Sequence, residues 1–537
     1  MNRAAYDLVF SICAFVLMSA VFVTTLNAPL VRAQGAIYIL PDGSISPSTA
    51  LLTTADNITY TFVGNVNEQI TVQRNNIIIN GNGYTLQGPG LGTTEDGFYL
   101  SGMSNVTIKN TPITGFAVGI RLVSSSDSNL LYDNNVTANY GYGIWLDNSS
   151  DNVLSDNTVT SNVGYGILLN SSSDNNSLSA NNFTTNNYGV WLGISDANTF
   201  SGNNVMASNF GIWFSSCDNN SLFDNTVANN NNGFYLDQSS GNVFSGNNFT
   251  ANISDGVYLD HSSSNILIGN SMINNTYGVY LLISSNDTLS GNNILDNGYG
   301  VYIDHSSGNV LSENTCTTNR EDAVELNEAS GNSIFHNNFI NNTLLQAYVE
   351  GPFNESINAW DDGYPSGGNY WSDYSGADTL SGPYQNVTGS DGIGDVQNVI
   401  NPVIIDQYPL MGMFSEFNTI SNERVQLISN FTVSQFTFNG SAISFNIENT
   451  NATADFCRIS IPTALINAPY KVFANGTEIP YTLLPSSNQT NSYLYLNFTP
   501  ASEEVTITPE FPYPFLLLLL MLATAAAAIS YRRKRPK

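Results

Sequence analysis

Short apolar runs separated by polar turn residues fill the middle of the chain, from about residue 96 to residue 340. The runs are too short for helices and are rich in β-branched and aromatic residues, which favour strands. Asn, Ser, Gly and Asp, the residues that turns prefer, divide one run from the next. The pattern therefore predicts an all-β protein made of many short strands.

A glycine recurs through this region about every 22 to 24 residues and marks one position in each copy of a repeat. It stands at Gly97, Gly119, Gly143, Gly166, Gly189, Gly211, Gly233, Gly256, Gly278 and Gly300, and Ala323 takes its place once more. Short strands at this period predict a parallel β-helix in which each copy forms one coil. A propeller blade needs about 40 residues, and the leucine-dense frame of a leucine-rich repeat is missing. We expect roughly 12 to 13 coils.

Pairs of asparagines five residues apart form two further columns. They are Asn129/Asn134, Asn152/Asn157, Asn176/Asn181, Asn198/Asn203, Asn220/Asn225, Asn242/Asn247, Asn265/Asn270, Asn309/Asn314 and Asn332/Asn337, and Asp287/Asn292 departs from the pattern. Equivalent residues of neighbouring coils lie about 4.8 Å apart. We therefore expect these asparagines to hydrogen-bond from coil to coil as structural ladders.

The paired asparagines and the strand that begins Tyr-Gly-(Ile/Val), clearest at Tyr142–Asp147 and Tyr299–Asp304, resemble the NosD-type β-helix family. That family belongs to a wider set of carbohydrate-binding proteins and sugar hydrolases. The resemblance covers roughly residues 37–411 and implies a right-handed parallel β-helix. It implies less about activity, because function depends on sites grafted onto folds.

The same resemblance makes copper handling an alternative function, because NosD itself is linked to copper delivery for nitrous oxide reductase. Copper sites use clustered His, Met or Cys side chains. His261 and His305 are expected two coils apart, about 10 Å, and the chain has no Met-rich or Cys-x-x-Cys cluster. The residues therefore disfavour this alternative.

The segments outside the repeat differ from it in composition. We expect a signal peptide at residues 1–33, a β-helix at 34–349 with an N-terminal cap at about 34–90 and regular repeats at about 96–340, a Gly-, Asp- and aromatic-rich cap at 350–412, a small β-sandwich at 413–508, and a transmembrane helix with a basic tail at 509–537. Solenoid ends need atypical capping segments. Alternating runs after residue 413 predict antiparallel strands.

Both ends of the chain indicate export and membrane attachment. Arg3 precedes an apolar run, as in secretory signals. The apolar run from Phe515 to Ser530 precedes a basic tail, which predicts a membrane span with a cytoplasmic tail. This ending resembles archaeal PEF-type C-terminal sorting signals, which implies an archaeal surface protein with its β-helix outside the cell. The many Asn-x-Ser/Thr sequons agree with a glycoprotein.

The formal net charge of −29 comes from 43 acidic and 14 basic residues. Nucleic acid is excluded as a partner, because phosphate binding needs basic stripes. Acidic polysaccharides are disfavoured for the same electrostatic reason. A neutral glycan or a cation is easier to accommodate.

Alternation along the strand after each repeat glycine predicts an outward aromatic column. If Ile144 and Leu146 point inward, Trp145 points outward, and the equivalent residues are Trp191, Trp213, Tyr235, Tyr258, Tyr280 and Tyr302. Flat aromatic faces at regular spacing suit stacking against sugar rings, and a contiguous exposed apolar patch usually marks an interaction site. The alternative is that the rings only brace the sheet.

Carboxylates form a second outward column beside the rings, at Asp237, Asp260 and Asp304. Asp237 and Asp260 fall on neighbouring coils, and Asp304 is two coils beyond Asp260. Two carboxylates can serve as acid and base in glycosidic cleavage, and their separation sets the stereochemical course. These three residues are the catalytic candidates. The alternative is that they bind turn amides or water.

Aspartates in the predicted C-terminal cap are candidate calcium ligands, namely Asp361, Asp362, Asp373, Asp391 and Asp395. Calcium takes six to eight oxygens from carboxylates and carbonyls. The spacing does not match an EF-hand loop, and a purely structural cap is the alternative. No other cofactor is expected.

The sequence as a whole favours a non-catalytic, membrane-anchored surface protein. It is expected to bind glycans, or to present a surface toward them, through the aromatic column. The first alternative is a glycoside hydrolase that uses the three outward aspartates. A structural surface stalk and a copper-handling protein are further alternatives.

Overall fold

The computed structural model describes residues 35–350, 357–448, 455–498, 503–510 and 521–526. It is an all-β structure with almost no helix, and its dominant element is a right-handed type of parallel β-solenoid with about 13 turns. The chain divides into two compact units, Met1–Asn187 and Tyr188–Lys537. The predicted signal peptide at residues 1–33 lies outside the described residues.

Each coil contributes one strand to each of three parallel sheets, which we name A, B and C in chain order. In the first unit, sheet A contains Ile37–Ile39, Ile45–Ser46, Ile70–Val72, Asp96–Ser101, Val118–Val123, Tyr142–Asp147 and Tyr165–Asn170. Sheet B contains Leu52–Thr54, Thr59–Phe62, Ile77–Asn80, Val106–Lys109, Leu130–Tyr132, Val153–Ser155 and Ser177–Ser179. Sheet C contains Leu86–Gln87, Pro112–Thr114, Asn135–Thr137, Thr158–Thr160 and Asn182–Thr184. Two antiparallel pairs at the start of sheets A and B close this end.

The second unit continues the same three-sheet pattern. Its sheet A contains Tyr188–Gly193, Phe210–Ser215, Asn232–Asp237, Asp255–Asp260, Tyr277–Leu282, Tyr299–Asp304, Val324–Asn327 and Ala347–Glu350. Its sheet B contains Thr199–Ser201, Ser221–Phe223, Val243–Ser245, Ile266–Ile268, Thr288–Ser290, Val310–Ser312 and Ser333–Phe335. Its sheet C contains Asn204–Met206, Thr226–Ala228, Asn248–Thr250, Ser271–Ile273, Asn293–Leu295, Thr315–Thr317, Asn338–Ile340 and Tyr370–Trp371.

Inward side chains of all three sheets form a continuous apolar core inside each unit. Ile144 and Leu146 are fully buried, as the alternation predicts, and so are Ile212 and Phe214 in the second unit. Equivalent residues of successive coils stack in rows, because each coil pairs with the next in register. Burial of these side chains is the main source of stability in such a fold.

Asparagine ladders hydrogen-bond neighbouring coils to each other at three turns of each coil. In the first ladder, Asn220 accepts from the backbone N–H of Asn198 at 2.8 Å and donates through Nδ2 to Asn242 at 3.2 Å. A third ladder, five residues beyond the second and not predicted from the sequence, follows sheet C, and in it Asn230 donates to Asn252 at 3.1 Å. Buried turn amides are thereby satisfied, as buried polar groups must be.

The repeat glycines are required because neighbouring coils approach them closely. A Cβ atom on Gly211 would lie 2.5 Å from the carbonyl oxygen of Gly233 and 2.7 Å from Cγ1 of Val227. Such contacts are far inside the van der Waals distance. The repeat glycines therefore allow the backbones of neighbouring coils to pack closely. Turn flexibility is not the reason for them.

A capping segment follows the last coil of the second unit. Asn369 accepts two hydrogen bonds from Asn337 at 3.0 Å, so an asparagine ladder continues into this segment. Trp371 is buried against Phe339, with ring centroids 4.8 Å apart. Its indole N–H donates to the buried carboxylate of Asp406 at 2.8 Å. Two small hairpins complete the segment, Leu380–Ser381 with Val387–Thr388 and Asn398–Asn401 with Ile404–Asp406.

Two five-stranded antiparallel sheets share a separate buried core after the capping segment. One contains Met413–Asn418, Arg424–Ser429, Asp455–Pro462, Asn491–Phe498 and Tyr481–Leu483. The other contains Thr432–Phe438, Ile443–Glu448, Glu503–Pro509, Tyr470–Ala474 and Thr477–Ile479. This two-layer arrangement has the form of a β-sandwich.

The predicted transmembrane helix finds no support in the described residues. Residues 521–526 are helical and exposed, and the rest of the predicted span from Phe515 to Ser530 lies outside the described part of the chain. Within that part, helices are neither long enough nor apolar enough to span a bilayer.

Candidate functional site

The outer surface of sheet A in the second unit carries a contiguous row of aromatic rings, which we call the aromatic face. Its members are Tyr188, Trp191, Phe210, Trp213, Tyr235, Tyr258, Tyr277, Tyr280, Tyr299 and Tyr302, and all are partly exposed. Each predicted aromatic residue of this unit pairs in register with the next along the sheet. The structure therefore brings six of the seven predicted ligand-binding residues onto one surface.

Neighbouring rings on this face contact one another directly. The centroids of Trp213 and Tyr235 are 5.1 Å apart, those of Tyr235 and Tyr258 are 4.9 Å apart, and those of Tyr258 and Tyr280 are 4.8 Å apart. Tyr280 then meets Tyr302 at 5.0 Å. Such pairs stabilise the sheet, so the rings brace the coils and at the same time leave a partly exposed aromatic strip.

A second aromatic column, one residue before the repeat glycine, widens the strip and was not predicted from the sequence. Tyr188 stacks on Phe210 with centroids 5.0 Å apart, and Tyr277 stacks on Tyr299 at 5.1 Å. Tyr277 also contacts Tyr280 of the first column at 5.2 Å. The aromatic residue that precedes several repeat glycines, as at Tyr188, Phe210, Tyr277 and Tyr299, was the available signal.

Trp145, the seventh predicted residue, lies on the outer surface of sheet A in the first unit. The guanidinium of Arg121 lies 4.2 Å from the centroid of its ring. Arg121 also forms a salt bridge with the buried Asp96 at 3.5 Å. The next residue in register, Leu168, is 5% exposed. Trp145 is therefore part of a cation–π cluster.

Partial burial raises the pKa of phenols on the aromatic face further above neutral pH. Burial, followed by the nearby Asp260 carboxylate, raises the pKa of Tyr235 to about 12. Burial and the nearby aspartates also raise the pKa of Tyr258 and Tyr280. These tyrosines therefore present hydroxyl donors beside apolar ring faces.

The three predicted catalytic aspartates lie along one edge of the aromatic face. Asp237 is the register partner of Asp260, and Leu282 separates Asp260 from Asp304 in the same column. Tyr235 donates to Asp260 Oδ2 at 3.2 Å, and Tyr280 donates to Asp304 Oδ2 at 3.4 Å. The rings thus hold the carboxylates in place from the preceding coil.

Each of two aspartates is also paired with the histidine that follows it. His261 Nδ1 lies 2.6 Å from Asp260 Oδ1, and His305 Nδ1 lies 2.5 Å from Asp304 Oδ1. His305 Nε2 lies 2.8 Å from a carboxylate oxygen of Glu328. The hydrogen bond to Asp304 is the main cause that raises the pKa of His305. Both imidazoles are about half exposed, at 54% and 51%.

A buried acidic pair, absent from the sequence predictions, ends the aromatic face. Glu325 is the register partner of Tyr302, and both Glu325 and Asp322 are less than a tenth exposed. Burial raises the pKa of Asp322 to about 6. Burial, followed by the Asp322 charge, raises the pKa of Glu325 to about 7. Close carboxyls of this kind share protons.

Three of the five predicted calcium ligands accept hydrogen bonds from backbone amides of their own segment. Asp361 accepts from Gly363 and Gln407, Asp391 accepts from Ile393 and Gly382, and Asp395 accepts from Thr379 and Leu380. Asp362 and Asp373 complete the predicted set. Across the described residues, no three His, Cys, Asp or Glu side chains are grouped so that they could hold a metal ion. The geometry gives the calcium prediction no support.

The fold and this surface define a parallel β-solenoid with an aromatic outer face. The family described as "Periplasmic copper-binding protein (NosD)" matches residues 61–232 and 216–376, more than half of the chain. The chain belongs to this family. No curated protein sequence matches the chain.

Solved structures with similar folds include polysaccharide epimerases and a tailspike. The Azotobacter vinelandii mannuronan C-5 epimerase AlgE6 A-module is 15% identical, with a TM-score of 0.44 over 55% of this chain and 90% of that chain. The periplasmic alginate epimerase AlgG is 15% identical, with a TM-score of 0.35 over 59% and 84%. The Dettilon tailspike protein is 14% identical, with a TM-score of 0.34 over 82% and 87%. At these values the similarity carries no argument about function.

The side chains do not fit the copper site that the family description implies. His336 is buried and stacks on Phe414 with centroids 4.0 Å apart. His261 and His305 belong to different coils, and each is bound to its own aspartate. The described cysteines are buried free thiols at Cys217, Cys316 and Cys457. Copper needs several such donors together, and the described residues do not provide them.

Proposed function

We propose that the protein binds glycans without catalysis, through the aromatic face of sheet A. The observation that carries this proposal is the unbroken row of ring contacts from Trp213 to Tyr302, partly exposed and repeated at every coil. Sugar rings have apolar C–H faces that stack on aromatic rings, and their hydroxyls match phenols and carboxylates. A continuous aromatic strip suits a polymer better than a small molecule.

The electrostatics of the aromatic face favour a neutral glycan. Asp237, Asp260 and Asp304 line one edge, and the chain as a whole carries a formal charge of −29. A polyanion approaching this surface is repelled. Carboxylates accept hydrogen bonds from neutral sugar hydroxyls at no such cost.

We also propose that the protein is exported and held at the membrane on the outer side. The secretory pattern of residues 1–33 and the apolar run with a basic tail at 509–537 support this location. A surface location agrees with a glycan partner. Fractionation of cells that express the full chain, with protease treatment of intact cells, tests the location. Protection of the solenoid from protease contradicts it.

Binding of the full chain to a glycan array, compared with a Trp191→Ala/Trp213→Ala variant, tests the proposal. Loss of two stacking rings is expected to weaken binding at least tenfold, because buried aromatic anchors dominate such interfaces. Phe223→Ala is the matched control, since Phe223 is exposed on sheet B, away from the face. Unchanged binding in the double variant contradicts the proposal. Absence of any glycan binding favours a structural stalk.

Glycoside hydrolysis is the second candidate, because Asp237 and Asp260 are register partners on adjacent strands. Their backbones are therefore about 5 Å apart, comparable with the carboxyl separation of about 5–5.5 Å in retaining enzymes. Release of reducing ends from neutral polysaccharides, abolished in Asp260→Asn, supports this function. Binding without release, in the wild type, supports the non-catalytic proposal.

A further inference from the structure

At the edge of the aromatic face, one apolar coil lies between two Asp–His pairs that are two coils apart. On three successive coils the edge residues are Asp260–His261, Leu282–Ile283 and Asp304–His305. The second residue of each pair has a left-handed backbone, with φ of 49°, 51° and 49°. The three pairs thus project from equivalent backbone and differ only in their side chains.

The two Asp–His pairs have the same surroundings. In each, the tyrosine of the preceding coil donates to aspartate Oδ2, and histidine Nδ1 contacts aspartate Oδ1. The histidines are about half exposed, whereas the Asp260 and Asp304 side chains are 20% and 14% exposed. In each pair the imidazole edge therefore faces solvent. The carboxylate that it contacts is held in place by the tyrosine of the preceding coil.

The step between them is apolar and open to solvent. Ile283 is 46% exposed, and Leu282 is partly exposed beside it. Tyr258 and Tyr280 form the aromatic strip alongside this step, with ring centroids 4.8 Å apart. A ligand that follows the coils meets a polar contact, an apolar contact and a second polar contact, with rings along its whole length.

We propose, on the basis of the glycan-binding function above, that the ligand is a linear, neutral, β-1,4-linked polysaccharide that lies along the stack of coils in the second unit. Two coils span about 10 Å, close to the length of two sugar residues in an extended β-1,4-linked chain. Successive residues of such a chain are flipped, so the same edge recurs at every second residue. Asp260–His261 and Asp304–His305 bind equivalent hydroxyl groups on alternate sugars.

The charges around the two pairs select a neutral polymer. His305 lies between the carboxylates of Asp304 and Glu328, at 2.5 and 2.8 Å, so it adds no uncompensated positive charge to this edge. Asp237 adds another carboxylate one coil before Asp260. A uronate chain would place its own carboxylates against this edge and be repelled.

Calorimetric titration of the full chain with β-1,4-linked gluco- and manno-oligosaccharides, from disaccharide to octasaccharide, tests the proposal. Affinity is expected to rise when the oligosaccharide becomes long enough to contact both Asp–His pairs. Linkage controls are β-1,3-linked gluco-oligosaccharides, and the charge control is a β-1,4-linked uronate series. Preference for either control, or affinity independent of length, overturns the proposal.

Single variants His261→Ala and His305→Ala test the two-coil register. Each is expected to lower the affinity for long oligosaccharides about tenfold, as for one lost hydrogen bond, and to leave disaccharide binding nearly unchanged. Gln238→Ala is the matched control, because Gln238 has the same left-handed backbone with φ of 50° and lies one coil before His261. An equal loss of affinity in Gln238→Ala contradicts the two-coil register.

The outcomes also separate this proposal from the glycan-binding function. If the protein binds no glycan on the array, the function itself fails. If Trp191→Ala/Trp213→Ala loses binding but the histidine variants and the linkage series have no effect, glycan binding stands and the β-1,4 register is wrong.

Discussion

Asp287 Oδ1 accepts two hydrogen bonds from Asn265, one from its backbone N–H at 2.8 Å and one from its side-chain Nδ2 at 3.2 Å. Asp287 thus occupies an asparagine position in the first ladder. Asparagines there also donate back to the preceding coil, as Asn309 Nδ2 does to the carbonyl of Ser284 at 3.2 Å. Asp287 Oδ2 is buried and has no hydrogen-bond partner among the described residues. Burial raises the pKa of Asp287 to about 7.

Replacement Asp287→Asn is therefore expected to stabilise the protein above neutral pH. The folded-state pKa is raised above its ordinary value of 3.8, so folding favours the protonated form, and the wild type loses stability as pH rises from about 4 through about 7. The shift corresponds to a difference on the order of 4 kcal/mol. Urea denaturation of both proteins across this range measures it. A variant advantage that is the same at pH 4 and pH 8 contradicts the prediction.

Gly211→Ala is expected to destabilise the protein by about 1–3 kcal/mol, because overpacking costs this much. The added Cβ would lie 2.5 Å from the carbonyl oxygen of Gly233, in a strand that cannot move without its neighbours. Gly269→Asn is the control, since Gly269 has φ of +62° and open space around it, and asparagine tolerates this conformation. Thermal unfolding should show a loss only for Gly211→Ala.

Much of the solenoid could be predicted because its constraints repeat in the sequence. The glycine period gives the coil length, and alternation after each glycine correctly turns Ile144 inward and Trp145 outward. The same alternation fails before the glycine. Counting back from Tyr280 would turn Tyr277 inward, but the strand buries Gly278 and Val279 together. The Tyr277 ring lies on the outer face, 5.2 Å from that of Tyr280.

Contacts between coils account for most of what the sequence did not predict. Asp260–His261 is adjacent in sequence, but the bond from Tyr235 to Asp260 joins residues 25 positions apart. The His305–Glu328 contact likewise joins two coils. The calcium prediction stays a prediction, because a cluster of aspartates in a loop-rich segment has the same sequence pattern whether it binds a cation or its own amides. Asp395 binds the amides of Thr379 and Leu380.

Cys217→Ser is expected to leave stability unchanged. Cys217 Sγ accepts from the backbone N–H of Ser195 at 3.4 Å and donates to the carbonyl of Ser215 at 3.3 Å. Ser239 makes the equivalent bond one coil later, to the Asp237 carbonyl at 2.9 Å. A serine at 217 therefore keeps the hydrogen bonds of the column.

Cys316→Ser is the contrasting variant and is expected to cost about 1–3 kcal/mol, since a buried hydroxyl lacks the solvation it has in water. Cys316 is 1% exposed, and its register partners are Ile294 and Phe339. Burial raises the pKa of Cys217 and of Cys316 to about 12, so neither thiol should react with a thiol reagent in the folded protein. Equal unfolding midpoints for the two variants would contradict this distinction.

His336 is expected to make the second unit sensitive to acid. It is 4% exposed and stacks on Phe414, and burial lowers its pKa to about 4. Because the folded-state pKa lies below its ordinary value of 6.5, stability is fully present above about pH 6.5 and is lost as pH falls toward 4. The difference in stability is about 3 kcal/mol.

His336→Asn removes the titrating group and suits the left-handed backbone, where φ is 58°. The variant should be less stable than the wild type at pH 8, because it lacks the ring stack, and the gap should narrow as pH falls from 6.5 to 4. Parallel loss of stability in both proteins over that interval, measured by urea denaturation, would show that His336 is not the acid-sensitive group.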